Sequence, residues 1–86
     1  MERRVRERSV AVSGELPALR LDYRGQRCPL PIIGLARRIG DVPAGAVLEL
    51  LADDPAARSD VPAWCDMCGH DYLGEPRPGT FWLRRR

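Results

Sequence analysis

Residues Arg27 to Gly40 read RCPLPIIGLARRIG, and the fold turns on how this stretch divides. Behind its two prolines, Ile32, Leu35, Ala36 and Ile39 fall at i, i+3, i+4 and i+7. That spacing makes one stripe of a helix, with Arg37 and Arg38 turned away from it. Pro29 suits the first helical position and Pro31 the third, because the N–H groups missing there have no carbonyl partner in any helix. Gly40 is the expected stop. So divided, the stretch places Cys28 at the N-cap.

Outward from this helix the period changes. On the N-terminal side LPALRLD, Leu16 to Asp22, alternates Leu19 and Leu21 against Arg20 and Asp22, as a half-buried strand does, before Gly25 breaks the pattern. On the other side the turn DVPAG leads into AVLELLA, with Leu48, Leu50 and Ala52 on one face and Val47, Glu49 and Leu51 on the other. DDPAAR reads as an acidic turn. Ser59 is the expected cap of a second helix whose Pro62 lies in the first turn, where no N–H is required. Val61, Trp64, Cys65 and Cys68 form its apolar stripe, and Gly69 ends it.

The remainder reads as two short strands, Asp71 to Gly74 and Thr80 to Arg84, joined by a loop holding Pro76, Pro78 and Gly79. So short a link requires antiparallel pairing. The order β-α-β-α-β-β, with right-handed crossovers, places both helices on one face of a mixed four-stranded sheet. The expected fold class is therefore an α/β (α+β) two-layer sandwich. Its other sheet face stays open, carrying Val47 and Leu51 with either Phe81 and Leu83 or Trp82, depending on register. Such a face is either scattered surface apolars or a partner surface.

A chain of 86 residues allows one small domain, which buries only about 60% of its unfolded surface. Its three cysteines are an odd number at irregular spacing, and no signal-peptide pattern opens the chain. Reduced thiols in a cytoplasm are the expectation. No segment approaches the roughly 20 apolar residues that a bilayer crossing needs, so a soluble protein without membrane attachment is expected. The formal charge of +2 is concentrated at the two ends, in Arg3, Arg4, Arg6 and Arg8 and again in Arg84, Arg85 and Arg86. A nearly balanced middle argues against direct nucleic-acid binding. Residues 1–15 carry alternating charges with no sustained period and are expected to form a flexible arm. Residues 16–86 are expected to form the domain.

As an N-cap, Cys28 sits near free N–H groups and the positive end of the helix dipole, with Arg24 and Arg27 adding positive charge. Cysteines in such surroundings have pKa values lowered from about 8.5 to roughly 3.5–7.5. Pro31 occupies the place where a C-x-x-C motif carries its resolving cysteine, which disfavours dithiol exchange. A lone activated thiol suits carrying a group: it attacks a sulfane sulfur, holds it as Cys-S-SH and passes it to another thiolate. From the residues alone, a cysteine that is merely tolerated at a cap stands beside that reading.

The blocks LDYRGQRCPLPIIGLARRI, GAVLELLADDP, SDVPAWCDMCGHDYLGE and GTFWLRRR resemble the TusA/SirA-like family of sulfur-carrier proteins from about Leu19 to Arg84. The Cys-Pro-x-Pro signature matches at Cys28, Pro29 and Pro31. The Gly-x-x-Leu strand and its Asp-Pro turn match at Gly45, Leu48, Asp54 and Pro55. The resemblance implies the same sandwich, a persulfide-bearing Cys28 at the tip of the first helix, and no cofactor beyond that transient persulfide. It also implies a sulfurtransferase in a cytoplasmic relay, loaded by a cysteine desulfurase or rhodanese-type donor and unloaded by an acceptor relay protein or thiolation enzyme. Thiolated tRNA, molybdenum cofactor and other sulfur metabolism all remain open as destinations.

Other residues have plainer readings. In WCDMCGH, Cys65 and Cys68 lie on the apolar stripe and read as core. A zinc site needs four ligands, and no second pair is present. Asp53 and Asp54 reach the sheet edge that carries Cys28 if the first two strands are parallel, and there they oppose Arg24 and Arg27 by raising the thiol pKa. His70 reads as a polar residue after a helix end. The competing function is a binding module for RNA or an acidic protein, or a regulatory protein of the same fold without sulfur transfer.

Overall fold

The computed structural model describes residues 16–86, so the arm expected over residues 1–15 lies outside the described residues. Its elements are β1 (Leu19–Asp22), α1 (Leu30–Arg38) with a 3-10 turn at Ile39–Asp41, β2 (Val47–Leu51), α2 (Ala57–Cys68), β3 (Asp71–Arg77) and β4 (Thr80–Arg84). The sheet order is β1-β2-β4-β3, with β1 parallel to β2 and β4 antiparallel to both its neighbours. This is the mixed four-stranded sheet, and the β-α-β-α-β-β order, that the sequence predicts.

Register decides which residues enter the core. Leu19 pairs with Leu48 and Leu48 with Leu83, while Leu21 pairs with Leu50 and Leu50 with Phe81. These rows face the helices and close on Leu35 of α1 and on Val61, Trp64 and Cys65 of α2. Trp82 thereby falls opposite Glu49 on the face without helices, which settles the alternative left open by the strand pattern.

That outer face is polar at its centre. The Glu49 side chain is only 3% exposed, and its carboxylate accepts from Trp82 Nε1 at 2.9 Å and from Arg20 Nε, with Arg77 3.7 Å away. Burial pushes this carboxyl up, but the Trp82 indole, the Arg20 guanidinium and the Arg77 charge outweigh burial and leave it below its ordinary value.

Helix boundaries depart from expectation for identifiable reasons. α1 begins at Leu30, one residue late, with Pro29 as its N-cap and Pro31 in its first turn. The first helical bond runs from Ile33 N–H to the Pro29 carbonyl, and the Leu30 N–H turns back to Arg27. Cys28 therefore precedes the cap, and its peptide bond to Pro29 is cis. Gly40 does not stop α1. The chain runs on through the 3-10 turn to an extended Val42, as its position before Pro43 requires.

α2 begins at Ala57, two residues before Ser59. Asp54 initiates it: Asp54 Oδ1 accepts the Ala56 N–H and the Asp54 carbonyl accepts the Ala57 N–H, both at 2.9 Å. Ser59 donates instead to the Ala56 carbonyl. Pro62 consequently lies inside the helix, beyond the first turn, and cannot donate to the Arg58 carbonyl. Gly69 ends α2 in the left-handed conformation, φ 80°. β3 continues past Gly74 to Arg77, with irregular pairing around Gly74. It is an edge strand, so Pro76 within it forfeits no essential ladder bond.

Gly34 marks a close approach. A Cβ built there would stand 2.2 Å from the Tyr23 ring, so Tyr23 packs directly over α1 and fixes the loop between β1 and α1. Gly34→Ala is expected to destabilise the fold by about 1–3 kcal/mol, read as a lower urea midpoint at unchanged slope.

Glu49 makes a second prediction. Its folded value lies below its unfolded one, so its contribution is complete above the ordinary carboxylate range and is lost as pH falls through the folded value. Glu49→Gln, which keeps an acceptor for Trp82, should flatten the acid limb of a stability–pH profile.

Candidate functional site

Parallel pairing of β1 and β2 brings both of their C-terminal ends to one sheet edge. The Tyr23 N–H continues the ladder to the Leu51 carbonyl at 2.8 Å, and Gly25 then turns the chain at φ 84°. Asp53 and Asp54 follow β2 directly and meet this loop. Asp53 Oδ1 accepts the Gly25 N–H and Asp54 Oδ2 accepts the Cys28 N–H, each at 2.9 Å. The sequence-predicted residues Cys28, Pro29, Asp53 and Asp54 thus share one edge, with Pro31 buried beneath.

Cys28 is half-exposed, Cys65 buried and Cys68 exposed. Asp60 of α2 and Asp54 both act on the Cys28 thiol. Burial, then Asp60, then Asp54 push the thiol up to about 11. These influences run against the ionised thiol expected from the sequence.

Two causes are visible. The sulfur lies ahead of the N-cap, and no side chain caps α1. The arginines are also engaged elsewhere: Arg24 Nε and Nη2 donate to Asp22 at 2.9 and 2.6 Å, and Arg27 acts on Asp54. Neither supports the thiolate as expected. The Ala56 and Cys28 amides hold the Asp54 carboxyl below its ordinary value, against burial and with help from Arg27.

Asp60 was not legible as a site residue. Its place two residues before Pro62 gave no sign that the first turn of α2 would act on Cys28.

Two shallow grooves flank the acidic pair. One, of about 320 Å³, is lined by Gly25, Gln26, Arg27, Asp53, Asp54 and Pro55. The other, of about 250 Å³, lies between the same aspartates and Arg58, Glu75 and Gly79. Cys28 lines neither of these two, and it is half-exposed.

The remaining candidates stay outside this edge. Cys65 packs in the core, and burial, then Cys68 and Asp71, push its thiol up to about 11. Cys68 is not core as expected: it is the last residue of α2, where the helix has run past the packed stripe. His70 stacks on Trp64 at 5.4 Å and accepts the Arg86 N–H through Nδ1. Among the described residues no three His, Cys, Asp or Glu side chains form a metal-holding group, and no helix is long and apolar enough to cross a membrane.

Residues 19–84 match the family model described as sulfurtransferase TusA, from the first residue of β1 to the last of β4. The chain belongs to the TusA family. It is 39% identical over 69 residues to the sulfur carrier protein TusA of Pseudomonas syringae, covering 77% of this chain and 82% of that protein. Identity to the Pseudomonas entomophila sulfur carrier protein TusA is 38% over 69 residues, covering 77% of this chain and 86% of that protein. The crystal structure of a SirA-like protein from Desulfitobacterium hafniense superposes with a TM-score of 0.57 at 25% identity, over 76% of this chain and 90% of that one. TusA membership makes this chain a member of a sulfur-carrier family.

Asp54 is the structural anchor of this edge. Asp54→Ala should speed hydrogen exchange at both the Cys28 and Ala56 amides and lower the melting temperature. Because the folded Asp54 carboxyl lies below its ordinary value, the difference from wild type should be full near neutrality and shrink as the carboxyl is protonated in acid.

Proposed function

We propose that this TusA-family protein carries sulfane sulfur as a persulfide on Cys28. The observation that carries this reading is the half-exposed Cys28 thiol at the sheet edge, its backbone pinned by Asp54 and its sulfur outside either groove. Such a sulfur is presented to another protein's cysteine more readily than to a small molecule enclosed in a pocket. In loading, the Cys28 sulfur attacks the outer sulfur of a donor persulfide, a new S–S bond forms, and the donor's own S–S bond breaks. The donor cysteine leaves with the electron pair and takes up the proton, so the exchange involves no net oxidation.

A cysteine desulfurase or rhodanese-type protein fits the donor role, and a relay protein or thiolation enzyme with a reduced cysteine fits the acceptor role. The transferred atom rides on the cysteine itself, so no cofactor is invoked. A reducing compartment such as the cytoplasm keeps Cys28 available. The competing RNA-binding reading is weakened at the C-terminal arginines, which are engaged in the fold. Arg84 donates to the Gly45 carbonyl, Arg85 to the Val42 carbonyl and Arg86 to Asp71.

Incubation with a cysteine desulfurase and cysteine should add one sulfur atom to the intact mass, removable by a thiol reductant. Cys28→Ser should take up none, and a variant lacking both Cys65 and Cys68 should load as wild type does. A wild-type protein that stays unloaded, or a Cys28→Ser variant that loads equally, overturns the assignment.

A further inference from the structure

Gly34 stands in the middle of α1, where glycine is intrinsically unfavourable. Its missing side chain makes room for the Tyr23 ring: a Cβ at residue 34 would overlap the ring's Cζ and Oη. Tyr23 follows β1 directly and packs against the core. The contact of its ring with Gly34 closes residues 23–34 into one turn of chain, and Cys28 lies near the midpoint.

This turn is fastened to two different neighbours. Its backbone is tied to the end of β2 and the residues after it. The Tyr23 N–H donates to the Leu51 carbonyl at 2.8 Å, and the Gly25 and Cys28 N–H groups donate to Asp53 and Asp54 at 2.9 Å. Within the turn the Gln26 N–H donates back to the Tyr23 carbonyl at 3.1 Å, and the Leu30 N–H to the Arg27 carbonyl at 2.9 Å. The Tyr23 ring ties the same stretch to α1. One residue thus engages β2 by its N–H, the loop by its carbonyl and α1 by its side chain. With the ring removed, the hydrogen bonds still tie Cys28 to the sheet edge, while the contact that seats the loop on α1 is lost.

That difference bears on some reactions and not on others. A persulfide carried by another protein arrives from one docked direction, so the receiving sulfur must already stand in line with it, and a misplacement of about 1 Å costs about a hundredfold in rate. A small inorganic polysulfide turns freely and meets a half-exposed sulfur from any open direction.

We propose that Tyr23, seated on Gly34, is a positioning residue for sulfur transfer: it holds the Cys28 loop on α1 in the placement that a protein-borne persulfide requires. This rests on the persulfide-carrier reading. The ring takes no part in the bond changes. The Cys28 sulfur bonds to the donor's outer sulfur, the donor's S–S bond breaks, and the departing sulfur keeps the electron pair and takes up the proton. With polysulfide the departing group is the shortened polysulfide, so neither exchange needs an external oxidant or reductant.

The test compares loading of the full chain by a cysteine desulfurase with cysteine and by inorganic polysulfide, read as added sulfur on the Cys28 peptide. All variants are assayed below their unfolding transitions, followed by circular dichroism. Tyr23→Ala and Gly34→Ala should each slow the maximal desulfurase rate about tenfold at an unchanged half-saturating concentration, with polysulfide loading within about twofold of wild type. Tyr23→Phe, which keeps the ring, should load as wild type does with both reagents. The double variant should lose no more than Tyr23→Ala, because an added Cβ at residue 34 then has no ring to displace. Should Tyr23→Ala fail to fold, Tyr23→Leu and Gly34→Ala carry the comparison.

A merely structural role lowers stability without changing the ratio of the two rates. An unchanged ratio in both single variants therefore overturns the proposal, as does a full multiplicative loss in the double variant. A raised half-saturating concentration at an unchanged maximal rate makes Tyr23 a docking contact and overturns its positioning role. Wild type that loads normally alongside an unchanged ratio refutes Tyr23 alone, whereas wild type that loads from neither reagent refutes the persulfide reading and this role with it.

Discussion

One carboxylate joins the two halves of the site. Asp54 accepts the Cys28 amide on one oxygen and the Ala56 amide on the other, so the loop before α1 and the start of α2 are anchored at the same point. This is possible because β1 and β2 run parallel and end at the same edge. Each crossover must leave the sheet there, and both loops begin with backbone N–H groups that no strand satisfies. An aspartate directly after β2 reaches both. The cysteine is consequently held through its backbone, and its thiol stays half-exposed.

The same anchoring sets the electrostatics. Satisfying two loops at an edge takes acids, and Asp54, together with Asp60 of α2, acts on the thiol so as to disfavour its ionisation.

Strands and their faces were legible because alternation survives translation into three dimensions. Leu19 and Leu21, Leu48 and Leu50, Phe81 and Leu83 occupy one face as their period of two requires. Helix stripes were legible for the same reason, except at Cys68, where a correct periodicity outran the length of the sheet beneath it. Helix starts were not, because caps depend on which carbonyl first finds a donor. No side chain caps α2 as Ser59 was expected to; its start is set instead by Asp54, which lies outside the helix and accepts the N–H of Ala56. The surroundings of Cys28 were only partly legible for a related reason. Sequence distance placed Arg24 and Arg27 beside the thiol, whereas the fold gave Arg24 to Asp22 and brought in Asp60 from 32 residues further along the chain.

The two faces of the sheet are held by different forces, and this bears on how the edge keeps its geometry. The helix side is a close-packed apolar layer around Leu48, Leu50, Phe81 and Leu83. On the opposite side Glu49, on a central strand, reaches Arg20 of β1, Trp82 of β4 and Arg77 of β3, so one carboxylate touches every other strand. A buried charge is strongly disfavoured unless its partners are in place, which penalises any slip in register more sharply than apolar contacts alone. A one-residue slip of β1 against β2 would displace Arg20 from Glu49 and at the same time carry Asp53 and Asp54 away from the Cys28 loop. The polar cluster on the open face and the acidic edge therefore depend on the same strand alignment, which makes the position of a surface thiol a consequence of the whole sheet.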